Sequence, residues 1–331
     1  MKKTLLFTTF FTLCLTFALE VFSQSLVGRW DFAESMDGSE YIPRDEGSLG
    51  IAADKLVLLG GRGEVETSVF DLKDRVWLVK PKPPLEMHHF QAVSYNDKLY
   101  ILGALTGNYP NEVPIPNVYI YNPMDDSWTK GAEIPENRRR GAAGASLYKD
   151  KIYLICGITN GHTDGHVAWM DEFDPETGKW TVLADAPRVR DHFNATAVDD
   201  QLFVLGGRKS MAPDHSFEKT IEEVDVFDFN KQEWYSLPEG IPTMRAGTST
   251  VALGKYVVTV GGESAFSETA HIETEAYDTR KNKWIKMVSL IEGRHGMGAA
   301  VYKNKIYVAG GNGYRGDGLP IETMEVFTLK I

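Results

Sequence analysis

Residues 55–77 read KLVLLGGRGEVETSVFDLKDRVW, and this stretch decides the fold. An apolar run closes on the pair Gly60-Gly61, an aromatic-acid step follows at Phe70-Asp71, and Trp77 comes seven residues after the aromatic. The pair returns as Gly206-Gly207, Gly261-Gly262 and Gly310-Gly311, with degenerate copies at Gly103-Ala104 and Cys156-Gly157. The aromatic step returns as Tyr121-Asn122, Phe173-Asp174, Phe227-Asp228 and Tyr277-Asp278, each with a Trp seven residues on: Trp128, Trp180, Trp234 and Trp284. Self-similarity at a period near fifty residues means a repeat architecture, and six copies in phase set the count.

Gly pair, aromatic-Asp step and phased Trp together resemble the Kelch repeat from Trp30 to the C-terminus. The resemblance implies an all-β fold, a six-bladed Kelch β-propeller. Each blade has four strands, with strand a against the axis, b ending in the Gly pair, c carrying the aromatic and d carrying the Trp. The residues support this independently. The b runs, such as Lys151 to Ile155, are apolar enough for burial on both faces, and Asn96-Asp97, Lys149-Asp150 and Lys303-Asn304 suit tight a–b turns. The sixth copy is incomplete, because Phe327 is in phase but the chain ends at Ile331 before its Trp. Trp30 stands 47 residues before Trp77, close to the 50 to 54 between the other repeat tryptophans, so Val27 to Phe32 is expected to supply strand d of the last blade. That pairing would remove the open edges of an unclosed ring.

Ahead of the repeats, Lys2 and Lys3 precede an apolar run from Leu5 to Leu19, which reads as a secretory signal peptide. The expected organisation is a signal peptide over 1–23 and one propeller domain over 24–331, exported to the periplasm or secreted. The full chain has 35 basic and 46 acidic side chains; losing Lys2, Lys3 and Glu20 leaves 33 and 45, a net charge of −12. That field argues against nucleic acid as a partner, and no later run is long and apolar enough for a membrane span. Cys156 alone survives cleavage, so no internal disulfide is expected, and the chain is expected to act as a monomer.

Strand order puts b–c loops and d–a connections on one face. The b–c spans there are 9, 17, 16, 20, 15 and 16 residues, whereas the other face is uniform. Variable loops on a rigid scaffold are the usual place for binding and catalysis. All eight histidines map to this face: His88, His89, His192 and His295 at entries to strands a, and His162, His166, His215 and His271 in or just after b–c loops. Sixteen residues before each pair stand Arg44, Met87, Arg140, Arg190, Arg245 and Arg294. Five guanidiniums converging on the axial channel would form a clamp for a carboxylate. Arginines at a repeating position can equally serve blade packing, and Asp45, Glu46 and Asp191 stand close enough to neutralise them. His162-Thr-Asp-Gly-His166 is an incomplete donor set in a loop, so neither a metal nor a cofactor is expected. Trp169 reads as a packing residue or a sugar-stacking platform.

The exported, arginine-bearing single propeller is similar to the N-acetylneuraminate epimerase (sialic acid mutarotase) group, although no motif specifies sialic acid. The expectation is a carbohydrate-active enzyme on a small acidic saccharide, working by elimination (lyase or dehydratase) or by mutarotation. His192, His89 and His295 would be its candidate bases, Tyr109 and Tyr314 partner acids, and Arg44, Arg140, Arg190, Arg245 and Arg294 the carboxylate site. A non-catalytic module binding acidic glycans remains the alternative. A copper oxidase is excluded by Cys156, which lies in a b strand, away from any Tyr-Cys crosslink.

Overall fold

The computed structural model describes residues 26–213 and 217–330. The expected signal peptide lies outside them, as does His215. Within them the aromatic-acid step and the phased Trp each have a local cause. The acid accepts backbone N–H bonds from the next residues, Asp71 Oδ1 from Lys73 and Asp74, and Asp174, Asp228 and Asp278 likewise. This Asx turn closes the c–d hairpin, so the chain returns with Trp facing the aromatic. Phe70 pairs with Trp77, Tyr121 with Trp128, Phe173 with Trp180, Phe227 with Trp234 and Tyr277 with Trp284. Their rings meet at centroid distances of 4.8–5.4 Å. Several indole N–H groups reach past the blade: Trp128 donates to Pro81 O, Trp180 to Glu133 O and Trp234 to Ala184 O, each on the blade before.

Six four-stranded antiparallel sheets result among the described residues, each in the order a-b-c-d. Blade I runs Gly47–Ala52, Lys55–Gly60, Thr67–Asp71 and Val76–Lys80. Blade II runs Val93–Tyr95, Lys98–Ile101, Asn117–Asn122 and Ser127–Glu133. Blade III runs Gly144–Tyr148, Lys151–Ile155, Met170–Phe173 and Trp180–Val182. Blade IV runs Ala195–Val198, Gln201–Val204, Asp225–Asp228 and Glu233–Ser236. Blade V runs Ser249–Leu253, Tyr256–Val260, Thr274–Asp278 and Lys283–Lys286. Blade VI has only His295–Tyr302, Lys305–Asn312 and Glu325–Leu329 from the C-terminal end, and Gly28–Phe32 completes it. Trp30 sits opposite Phe327 with ring centroids 5.4 Å apart, and its indole donates to Val288 O on blade V. The a–b turns at Asn96-Asp97, Lys149-Asp150 and Lys303-Asn304 have positive φ at both residues, the twist a two-residue hairpin requires.

The Gly pairs are the joints between blades. The second residue of a pair donates its N–H to the carbonyl of the next blade's arginine-phase residue: Gly61 to Met87, Gly157 to Arg190, Gly207 to Arg245, Gly262 to Arg294 and Gly311 to Arg44. The first residue is Cys156 in blade III and glycine in the others, where a side chain would meet the next blade at closest range in blade V. At Gly261, with φ +60°, a Cβ would stand 2.3 Å from Arg294 O. The b strands are buried along most of their length and carry the core between neighbouring blades. No helix among the described residues is long and apolar enough to cross a membrane.

Candidate functional site

The arginine phase does not form a clamp. Arg44, Arg140, Arg190, Arg245 and Arg294 are all buried, at 0–2 % exposure, and each turns into its own blade. Each donates to the carbonyl of the first pair residue sixteen positions on: Gly60, Cys156, Gly206, Gly261 and Gly310. Four also pair with an acid on or near strand c, Arg140 with Asp171, Arg190 with Asp225, Arg245 with Glu275 and Arg294 with Glu325. Arg44 donates instead to Ser68 Oγ and Glu66 O. The expected carboxylate ring is therefore corrected to five internal staples between strands b and c. Trp169 packs on one of the neighbouring cations, with the Arg138 guanidinium 4.4 Å from its ring.

The axis is lined two residues later. Glu46, His89, Ala142, His192, Gly247 and Gly296 occupy equivalent positions, one per blade, around one narrow cavity. All six have φ between +49° and +61°. Their backbones join in a ladder around the ring: His89 N–H donates to Glu46 O, Ala142 to His89, His192 to Ala142, Gly247 to His192 and Gly296 to Gly247, at 2.8–2.9 Å. Glycine adopts this left-handed conformation freely, whereas another residue pays about 1–2 kcal/mol. Four blades accept that cost, one with Ala142 and three with a polar side chain, Glu46, His89 and His192.

A second set comes from the residue after each Gly pair, where Arg62, Arg208 and Glu263 flank the ring, and a third from two b–c loops. Leu105–Thr106 pairs with Val113–Pro114 in blade II, and Ile158–Asn160 with Asp164–His166 in blade III. The first hairpin presents Glu112 and the second His162, tied together by His162 N–H donating to Pro110 O. Gly161 makes that contact possible, since a Cβ there would lie 2.3 Å from Pro110 O.

Three imidazoles meet at the centre. His89, His162 and His192, all buried, place one candidate ligand atom each within 4.8 Å of the others. His192 Nε2 is 2.8 Å from His162 Nε2. Their outer nitrogens are held by carboxylates, His192 Nδ1 by Asp191 Oδ1 at 2.5 Å and His162 Nδ1 by Glu112 Oε2 at 2.9 Å. His89 Nδ1 lies 2.6 Å from His88 Nδ1, and its Nε2 is 3.3 Å from Glu46 Oε2. Burial, with Arg208 nearby, lowers His192 to about 3, and burial also lowers His89 and His162. His88 falls to about 4 through burial and the Arg62 charge. Burial alone would raise the carboxylates, but the His162 hydrogen bond brings Glu112 down to about 2. Bonds from His166 and His192 hold Asp191 well below the ordinary range. Glu46 is pushed up to about 7 by burial, while His295 and Arg208 overcome burial and bring Glu263 to about 2.

Outside this cluster a cavity of about 580 Å³ opens between the loops, lined among others by Glu46, Arg62, His89, Tyr109, His162, Arg208, Phe217, Glu263 and His295. Tyr109 packs on His162 at 5.1 Å. Arg62 pairs with Glu112 at 3.1 Å and Arg208 with Glu263, while His295 Nε2 sits 3.8 Å from Glu46 and 3.5 Å from Glu263. The structure thus brings together His89, His192, His295 and Tyr109 of the expected residues. Tyr314, exposed at 60 %, does not line this cavity, so its expected place beside the bases is corrected. Glu46, Arg62, Glu112, Arg208 and Glu263 were missed. Two phases of the repeat could have found four of them, the second residue after the arginine position and the first after the Gly pair.

Comparisons with known proteins follow the repeat. A model of the KLHDC2/KLHL20/DRC7 Kelch-repeats domain matches residues 27–207 and 181–311. The Kelch-like protein terF of Aspergillus terreus is 28% identical over 314 residues, covering 89% of this chain and 67% of that protein. Kelch-like protein 38 of Homo sapiens is 25% identical over 263 residues, covering 78% of this chain and 42% of that protein, so this chain spans under half of that relative. The solved structure of YjhT superposes with a TM-score of 0.73 at 16% identity, covering 88% of this chain and 99% of that one, a likeness of fold. The chain belongs to the KLHDC2/KLHL20/DRC7 Kelch-repeats domain family.

Proposed function

We propose that this propeller is an exported enzyme that acts on a small carboxylated saccharide at the axial mouth, by elimination or by ring-opening mutarotation. The observation that carries the reading is the convergence of Glu46, His89, His162 and His192 at the axis, the first, second and fourth on left-handed backbone where blades V and VI use glycine and blade III alanine. Strain of this kind is kept where the side chain has a task. The histidine cluster supplies the basic side of the cavity, and Glu46 and Glu263 face it with carboxyl groups. For elimination, a base takes the proton next to the substrate carboxylate, the bond to the β oxygen breaks, and an acid returns a proton to the leaving oxygen. For mutarotation, the anomeric hydroxyl gives up its proton while the ring oxygen accepts one, and the sugar closes on its other face. A cavity of about 580 Å³ is large enough for one or two sugar units. Arg62 and Arg208 are the cations on its wall, each also paired with a glutamate, and are the proposed carboxylate contacts in place of the buried arginine phase. The signal-type N-terminus and the resemblance to an exported sugar-acid mutarotase group support the same substrate class.

The test is to incubate the purified protein with saturated and unsaturated uronate oligosaccharides and with reducing sugar acids, following ultraviolet absorbance and anomeric proton signals. The expected result is a change in one of them that Asp191→Asn and Glu46→Gln abolish. Measurable binding with no change in either signal refutes the enzyme and supports a glycan-binding module. Turnover that survives both substitutions refutes the site.

A further inference from the structure

We infer that His89, His162 and His192 form a divalent transition-metal site of the zinc class, with Glu46 at its edge. The inference deepens the functional reading, because a metal there would supply an electrophile to the same cavity and, with the three rings ligated, leave the proton transfers to Glu46 and His295, but it rests on the hydrogen bonds of the cluster. Those bonds assign the tautomers. Asp191 accepts from Ser210 N–H at 3.0 Å and Ser210 O–H at 2.6 Å, as an ionised carboxylate does, so its bond to His192 Nδ1 requires the proton on that nitrogen. Glu112, paired with Arg62, fixes the proton of His162 on Nδ1 in the same way. Both neutral rings then turn bare Nε2 lone pairs toward each other across 2.8 Å. Two acceptors facing at that distance repel unless a cation lies between them.

The third ring follows by the same accounting. His88 Nε2 faces Gly107 O at 3.2 Å and must donate, which leaves His88 Nδ1 as an acceptor. His89 Nδ1, 2.6 Å away, is therefore the donor, and His89 Nε2 is left bare, 3.3 Å from Glu46 Oε2. The three rings come from three blades, each offering one nitrogen within 4.8 Å of the others, and all three side chains are at least nine-tenths buried, at 6, 3 and 5 % exposure. Imidazole donors suit zinc and its first-row neighbours rather than magnesium or calcium, and outer carboxylates on the ligating rings are the usual second support of such centres. Nitrogens bound tetrahedrally at about 2.0–2.1 Å lie about 3.3 Å apart, so the closest pair needs to open by roughly half an ångström. A zinc held by three histidines would keep a fourth position for water or substrate, and two of the three rings, His89 and His162, line the cavity.

The experiment strips the protein with a chelator and titrates it with ZnCl₂ by calorimetry and with CoCl₂ by visible absorption, no saccharide present. One equivalent is expected to bind, with cobalt bands typical of a tetrahedral site. His162→Ala should abolish the stoichiometric binding; Asp191→Asn and Glu112→Gln should weaken it about 10–100-fold; and His271→Ala, away from the cavity, should match the parent chain. Circular dichroism identifies any variant that fails to fold, and His162, on a loop hairpin, is the ligand least tied to folding. Binding absent in the parent chain, or unchanged in His162→Ala, overturns the site. A metal-loaded protein inert toward every sugar acid refutes the substrate reading and leaves the metal site standing.

Discussion

Replacing Arg245 by Met separates a staple from a clamp. Arg245 donates to Gly261 O at 2.6 Å, to Thr243 O at 2.7 Å and to Glu275 at 2.5 Å, and is fully buried with its partner acid nearly so. Met fills a similar volume, as Met87 does at the same phase of blade II, so the change leaves a buried carboxylate without its cation, held by the Thr243 hydroxyl, and four carbonyls short of a donor. Breaking a buried pair from one side costs about 3–5 kcal/mol. In a domain of about 300 residues 1 kcal/mol moves the melting temperature by about 1.6 °C, so a fall of roughly 5–8 °C is expected. Adding Glu275→Leu removes the stranded charge, and the double variant should recover at least half the loss, a coupling the double-mutant cycle reads directly. Thermal and urea melts by circular dichroism give the stability, and calorimetry with a sugar acid gives affinity. A single variant that melts like the parent chain but binds a sugar acid tenfold more weakly would refute the staple and restore the clamp.

The ring closure and the two remaining features give sharper single-site tests. Trp30→Ala should cost about 3–5 kcal/mol, and light scattering should show concentration-dependent association as strand Glu325–Leu329 loses its cover. Unchanged melting and a monodisperse sample would argue against closure through Trp30. Gly261→Ala should destabilise by about 1–3 kcal/mol, because its Cβ would meet Arg294 O at 2.3 Å; a neutral effect would show that blades V and VI are not in contact there. Zinc at one hundred times its dissociation constant should stabilise the chelator-treated protein by about 2.7 kcal/mol, read as a rise in melting temperature that His162→Ala lacks.

The fold was readable because its signals are local. Asp71 caps its own turn, Trp77 faces Phe70 across one hairpin, and repeating that chemistry counts the blades and finds the missing strand at Trp30. The site was only partly readable, because phase tells which residues are equivalent and not where their side chains point. Arg190 and His192 stand two apart at one strand entry, yet the positive φ at His192 accompanies a reversal: Arg190 runs back into its blade and His192 faces the axis. His162 had no phase to follow. Its place depends on the packing of two hairpins of unequal loops against each other, set by Gly161 and Pro110, and no periodic pattern carries that information.

Blades V and VI show what the ring requires for folding alone. Gly247 and Gly296 complete the same ladder of hydrogen bonds with no side chain, so nothing in the closure of the propeller calls for Glu46, His89 or His192 at those positions. Four left-handed non-glycine residues, Ala142 with the other three, together cost roughly 4–8 kcal/mol. The part of the molecule that sustains this cost is the innermost turn, where His89, Ala142, His192 and Gly247 are held by their neighbours on both sides and the Gly-pair joints lie beneath. A side chain mounted there has little freedom to move off target, which is what an acid-base or metal centre needs and what a passive binding rim does not. The strain and the rigidity therefore belong to one arrangement, and three of the four strained positions carry the axial side chains on which the proposed chemistry rests.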